Sequence, residues 1–177
     1  MITQQKVLFQ IPLLIGKLKN INNDIIIKDA LDNKDNKFST DSFNTHSEDS
    51  YLPMSDELNN IFTNIISDIE NQMSLKLRLK NYWCIVNKPN ASIHIHDHYD
   101  TDIAIAYYPM VYENSGDIVF QWEDSLTNKW GENRYSITPK NNMYIAFPGY
   151  LKHFVTTNLS KKDRISLSAN LNIEKKS

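Results

Sequence analysis

Residues 164–171 read RISLSANL, and this octapeptide decides the fold. Ile165, Leu167, Ala169 and Leu171 alternate with Arg164, Ser166, Ser168 and Asn170, the period-two pattern of a strand with one apolar and one polar face. The apolar face has to be covered. Residues 55–73 supply the cover: Leu58, Ile61, Phe62, Ile65, Ile66, Ile69 and Met73 recur at spacings of three and four, the stripe of an amphipathic helix. Ser55 is its expected N-cap, and Asp56 and Glu57 suit the positive end of the helix dipole. The polar face is then turned toward a ligand cavity, where small serines leave room and the Arg164 guanidinium can clamp a carboxylate in bidentate fashion.

Working outward, the chain after residue 80 reads as short strands at Tyr82–Val86, Ser92–His98, Ile103–Pro109, Ile118–Trp122, Arg134–Thr138, Met143–Phe147, His153–Thr157 and Arg164–Leu171. Eight β segments punctuated by Asn, Gly, Pro and Asp predict an antiparallel sandwich or barrel, and eight is the jelly-roll number. A seven-stranded sandwich of immunoglobulin type also fits the count, but leaves the histidines without a purpose. The expectation is a mainly β protein, a jelly roll with a covering N-terminal α-helix. With 177 residues and 41% hydrophobic content the chain suits one domain. Residues 1–80 give a strand, a polar loop and the helix, and residues 81–177 give the jelly-roll core.

Nineteen basic against twenty-one acidic residues leave a net charge of −2 with no basic stripe, so a nucleic-acid partner is not expected. The segment 7–16, VLFQIPLLIG, is too short to span a bilayer, is interrupted by Gln10 and Pro12, and reads as a strand. No small-residue cleavage site follows it, which predicts a cytoplasmic protein without membrane attachment. The single cysteine, Cys84, lies in the apolar run YWCIV and reads as a small buried hydrophobe in a reducing compartment. Residues 33–50 offer little to bury and read as a mobile loop or lid, with His46 an exposed residue within it.

Three of the five histidines, His94, His96 and His98, fall in SIHIHDHYD, residues 92–100. Imidazoles at i, i+2 and i+4 of an extended strand share a face and can present several nitrogens to one cation. His153 follows a Phe147-Pro148-Gly149 turn, and His153 and Arg164 bracket an expected hairpin with 158–163 as its connection. Opposite ends of a short paired strand lie about 10 Å apart. A dicarboxylic acid can bridge that gap, one end chelating a metal beside His153 and the other held by Arg164, a distance that suits a five-carbon keto acid.

Trp83, His96-Asp97-His98, Tyr107-Tyr108, Ser115-Gly116, the run from Phe147-Pro148-Gly149 to His153, and Arg164-Ile165-Ser166 together carry a family likeness. The chain resembles the iron(II)- and 2-oxoglutarate-dependent oxygenases of the double-stranded β-helix fold, prolyl-hydroxylase-like members found in bacteria and phages. The opening at 7–16 resembles the family's start as well. It departs from the family at Asn90, Tyr99 and Ala104-Ile105, where a glycine, a proline and a Ser-Gly pair are common.

The resemblance implies Fe(II) held by His96, His98 and His153, with 2-oxoglutarate held by Arg164 and Ser166. It implies hydroxylation of a small-molecule or peptidyl substrate with release of succinate and CO2; a homo-oligomer is compatible with it. His94 is left beside the ligands. His98-Tyr99-Asp100 also reads as half of a two-histidine, one-carboxylate triad, which makes Asp100 a competing ligand. Trp83, Tyr107 and Phe120 lie on strands expected to line the pocket. Rival readings are a cupin-like metalloprotein of other chemistry and a non-catalytic jelly-roll binding module. Neither needs a buried arginine eleven positions after the distal histidine.

Overall fold

The computed structural model describes residues 11–33, 52–122 and 133–174. Among them run β1 (Leu14–Lys17), α1 (Asp24–Asn33), α2 (Asp56–Met73), β2 (Leu77–Asn87), β3 (Ile93–His96), β4 (Ile103–Met110), β5 (Ile118–Gln121), β6 (Arg134–Ile137), β7 (Met143–Pro148), β8 (His153–Val155) and β9 (Arg164–Ile173). The strands pair antiparallel in two sheets, of order β1-β7-β4-β9-β2 and β3-β8-β5-β6. The sheets face each other without closing into a barrel, the jelly-roll arrangement that the strand count predicted. Among the described residues no helix is long and apolar enough to cross a membrane.

Period-two alternation sorts the side chains of the larger sheet into two cores. Ile103, Ile105 and Tyr107 of β4 join Ile165, Leu167, Ala169 and Leu171 of β9 beneath the helices. Ala104, Ala106 and Tyr108 turn the other way, toward Ile118 and Phe120 of the smaller sheet. The molecule therefore has three layers: helices, large sheet, small sheet. The polar face of β9 is left between the two sheets.

Helix α2 forms where its stripe predicted. Ser55 is extended at φ −89° and its hydroxyl accepts from the Leu58 N–H at 3.2 Å, while Ser74 closes the other end in the left-handed region at φ 54°. Leu58, Ile61, Phe62, Ile65 and Ile69 are buried against the sheet, each worth roughly 1.5–3 kcal/mol relative to exposure. The Tyr144 hydroxyl of β7 donates to the Asp68 carboxylate and the Tyr82 hydroxyl to the Leu52 carbonyl, tying helix and preceding segment down.

Helix α1 was not expected. Its buried side chains are Ile26 and Ala30, one i,i+4 pair, too sparse a stripe to register beside the longer helix. Of the lid expected over residues 33–50, Asn33 ends α1 and the rest, with His46, lies outside the described residues, as do residues 7–10 of the expected N-terminal strand. Within that N-terminal segment, Leu14–Lys17 does pair with β7.

The expected hairpin between His153 and Arg164 is not formed. Strand β8 pairs with β3 and β5, and β9 with β2 and β4, so the connection between them crosses from one sheet to the other. The two residues consequently line one cleft from opposite walls instead of sharing a ladder.

Candidate metal centre

Strand β3 positions His96 through an irregularity. Ile93 pairs with Val155 and His96 with His153, leaving two residues between the pairs on β3 (His94 and Ile95) against one on β8 (Phe154), which is a β-bulge. The bulge breaks strict alternation: Ile93 and His96 face inward while His94 and Ile95 are exposed. The shared face expected for His94, His96 and His98 is therefore lost. His94 contributes its backbone carbonyl, which accepts from His96 Nδ1 at 2.7 Å.

His98 lies beyond the end of β3 and is placed by a loop-to-turn contact. Its N–H donates to the Gly149 carbonyl at 2.8 Å, and the Gly149 N–H donates to the Asp102 carbonyl at 3.1 Å. A Cβ at position 149 would sit 2.1 Å from the Thr101 carbonyl oxygen and 2.9 Å from that of His98. Only glycine lets the two segments approach so closely. His153 comes from β8, opposite Phe120 of β5.

His96, His98 and His153 each offer a nitrogen within 4.8 Å of the other two, close enough that small side-chain rotations bring them to one ion. In all three the Nδ1 is engaged: with the His94 carbonyl, with Asn170 Oδ1 at 2.5 Å, and with the Leu151 carbonyl at 2.9 Å. An Nδ1–H donated to an oxygen puts the ring's lone pair on Nε2, the tautomer a metal site needs. Burial holds the His96 and His98 imidazoles below their usual pKa, so both stay unprotonated at neutral pH. Phe147 packs edge-on to His153 at 4.7 Å between ring centroids and Trp83 lies 5.4 Å from His98, giving the cluster an apolar wall.

Asp100, the competing ligand, is not in the cluster. Its side chain is 87% exposed and pairs with Lys80 at 2.5 Å. Of the three aromatics expected at the pocket, Trp83 and Phe120 stand beside the histidines. Tyr107 does not. Alternation turns it to the helix side, where its hydroxyl donates to Asn23 at 3.0 Å, and it is the next residue, Tyr108, that faces the cleft.

Along β9 the interior face carries Arg164, Ser166, Ser168 and Asn170, so the residue steadying His98 and the arginine are six positions, roughly 20 Å of strand, apart. Arg164 is 1% exposed and lines the same cleft as the three histidines, with Ser166 and Ser168 between. Its guanidinium lies 5.1 Å from the Tyr108 ring centroid. Among the described residues it has no carboxylate partner, and Nε and Nη1 have no hydrogen-bond acceptor. Burial lowers its pKa and the neighbouring Tyr108 and Asp117 oppose that; a guanidinium is not deprotonated in proteins, which makes Arg164 a buried cation.

A cleft with three imidazole lone pairs at one end and an unpaired guanidinium at the other fits a divalent transition metal and a diacid. Sequence reasoning missed Asn170 and Tyr108. Asn170 was visible as the last polar residue of the alternation, but its partner depends on where the 97–102 loop folds.

Comparison with known proteins agrees with this geometry. The model of the family described as "Putative 2OG-Fe(II) oxygenase" matches residues 81–170, just over half of the chain. No curated protein sequence matches it. Among solved structures, a Pseudomonas putida prolyl-4-hydroxylase is 12% identical with a TM-score of 0.60, covering 92% of this chain and 93% of its own. Iron-bound HygX from Streptomyces hygroscopicus is 8% identical with a TM-score of 0.57, over 90% and 81%. An oxidoreductase of the 2OG-Fe(II) oxygenase family from Burkholderia pseudomallei is 14% identical with a TM-score of 0.56, covering 68% of this chain and 58% of its own, less than two thirds of that protein's length. At such identities the likenesses speak for the fold, and the family match covers the segment from β2 to β9 that carries all three histidines and the arginine. The chain belongs to the 2OG-Fe(II) oxygenase family, whose cofactors are Fe(II) and 2-oxoglutarate.

Proposed function

We propose that the protein is an Fe(II)- and 2-oxoglutarate-dependent dioxygenase that hydroxylates a small-molecule or peptidyl substrate. The observation that carries this reading is Arg164, a fully buried guanidinium without an acid partner among the described residues, in one cleft with His96, His98 and His153. A buried charge left unpaired is strongly unfavourable, so its retention calls for an anionic ligand. A structural zinc site or a cupin of other chemistry makes no use of it.

In this reading the Nε2 atoms of His96, His98 and His153 bind Fe(II), and the acceptors on their Nδ1 atoms hold each ring at a fixed tautomer and angle. Arg164 and the Ser166 hydroxyl bind the distal carboxylate of 2-oxoglutarate, orienting the keto acid end toward the histidines. Phe120, Phe147 and Trp83 exclude water beside the metal ligands. Held there, Fe(II) with 2-oxoglutarate would supply activation of dioxygen coupled to decarboxylation of the keto acid to succinate, and with it hydroxylation of a substrate C–H bond.

The remaining assignments follow the same reading. Residues 1–80 and 81–177 act as one unit, with the helices covering the sheet that carries the arginine. Burial pushes the Cys84 thiol up to about 12, which suits an inert core residue in a cytoplasmic enzyme.

Anaerobic titration of Fe(II) with and without 2-oxoglutarate tests the proposal. A weak metal-to-ligand charge-transfer band and succinate formation on admitting air are expected. Absence of both, in a protein that binds the metal, would overturn it.

A further inference from the structure

Among the described residues, five buried polar atoms at and beside Arg164 have no hydrogen-bond partner: Nδ2 and Oδ1 of Asn87, which faces Arg164 across the β2–β9 ladder, the Tyr108 hydroxyl, and Nε and Nη1 of Arg164. Native interiors leave few such atoms, and rarely several together. Asn87 is the unexplained member. It is 0% exposed and stands directly opposite Arg164 in the β2–β9 register, just as Ile85 stands opposite Ser166. Directly opposed side chains on one face have Cβ atoms about 4.5–5.5 Å apart, so a side-chain rotation is enough to bring the amide to the guanidinium.

The backbone at this point is firmly placed, because the Asn87 carbonyl accepts from Asn158 Nδ2 at 2.9 Å and Asn158 is itself buried. Asparagine is a poor strand residue. Among the described residues nothing bonds to its amide.

We infer that Asn87 is a positioning residue of the co-substrate socket: once 2-oxoglutarate is bound, its Oδ1 accepts a guanidinium N–H of Arg164 and its Nδ2 donates to the distal carboxylate. This deepens the dioxygenase reading and rests on it. A carboxylate accepts about four hydrogen bonds. Arg164 Nη1, the Tyr108 hydroxyl and Asn87 Nδ2 supply three, and Ser166 is at hand for the fourth. With Arg164 Nε on Asn87 Oδ1, one bound carboxylate satisfies all five orphaned atoms. Asn87 thereby holds the guanidinium at one depth and sets the length of diacid the cleft accepts.

The test is calorimetric titration of 2-oxoglutarate into the full chain loaded with Mn(II), alongside thermal melting of the 2-oxoglutarate-free protein. Asn87→Ala should bind 2-oxoglutarate at least tenfold more weakly than the parent, with Mn(II) affinity unchanged. Asn87→Asp places a carboxylate on Arg164 itself: binding should fall more than 100-fold while the ligand-free protein melts no lower than the parent. A purely structural asparagine would give the opposite sign in the melt. Variants that bind 2-oxoglutarate within twofold of the parent would overturn the inference, as would losses that track lost Mn(II) affinity. If Asn87→Asp fails to fold, the Asn87→Ala titration decides alone. A parent protein that takes up Mn(II) but no 2-oxoglutarate would sink the dioxygenase reading and this inference with it, a result distinct from unchanged variants.

Discussion

The two ends of the interior face of β9 are built on opposite plans. At the Asn170 end, the Nδ1 atoms of His96, His98 and His153 each have an oxygen partner and the rings are packed by Phe147 and Trp83. At the Arg164 end, the guanidinium, the Tyr108 hydroxyl and the Asn87 amide are buried with atoms unsatisfied. On the proposed reading the histidine end is the metal end, preorganised before any ligand arrives, and the arginine end is the anion end, completed only by one. Truncation should therefore act differently at each: at the histidines it removes binding, and at the arginine it removes binding while relieving the fold.

The largest expected effect is at the metal end. His98→Ala or His153→Ala should lose metal binding by well over the roughly 100-fold that a supporting residue contributes. Titration with Mn(II), read by calorimetry, measures it. Retained affinity in either variant would mean that the cluster is held together for packing and that the comparison has its metal end wrong.

At the anion end, Arg164→Leu should leave Mn(II) affinity unchanged. It should weaken 2-oxoglutarate by about 2–5 kcal/mol, roughly 30-fold to several thousandfold, because the substrate carboxylate loses a buried charge-assisted partner. The ligand-free variant should melt at a higher temperature than the parent, since an uncompensated buried charge has been replaced by an apolar side chain. A variant that melts much lower would show that Arg164 is already satisfied, and the contrast between the two ends would disappear.

How far these ends were legible in the sequence depends on the range of the interactions that make them. The alternation in 164–171 is a local pattern, and it gave the faces of β9, the need for a covering helix and the direction of Arg164. Ser55 and the stripe from Leu58 to Met73 were equally local. The bulge that turns His94 outward could not be read, because it exists only in the pairing of β3 with β8. Nor could the crossing between β8 and β9, which replaces a hairpin that the spacing of His153 and Arg164 had suggested. Tyr107 and Tyr108 show the limit most simply: adjacent aromatics on a strand bury equally well, and only the three-layer arrangement decides which one meets the cleft.

Asn170 sits between these cases, since it is readable as a polar interior residue but silent about its partner. Its Oδ1 fixes the tautomer of His98, so Asn170→Ala should lower Mn(II) affinity about 10–100-fold and leave 2-oxoglutarate binding intact once the metal is saturating. A change in 2-oxoglutarate affinity at saturating metal, with metal affinity unaltered, would assign Asn170 to the anion end and blur the division along the strand.

The smallest effect belongs to Asp100, and it sharpens the comparison because of its position two residues from His98. Its carboxylate is exposed and paired with Lys80, an arrangement worth about 0–1 kcal/mol in water. Asp100→Ala should therefore leave Mn(II) affinity within about twofold and stability within the range of an ordinary surface pair. The contrast with His98→Ala is the useful quantity. Both residues occupy one short segment, yet only the imidazole is drawn inward, by the His98 N–H bond to the Gly149 carbonyl. If Asp100→Ala weakened the metal as severely as His98→Ala, the segment would have to rotate on binding, and the metal end would no longer be the preorganised one.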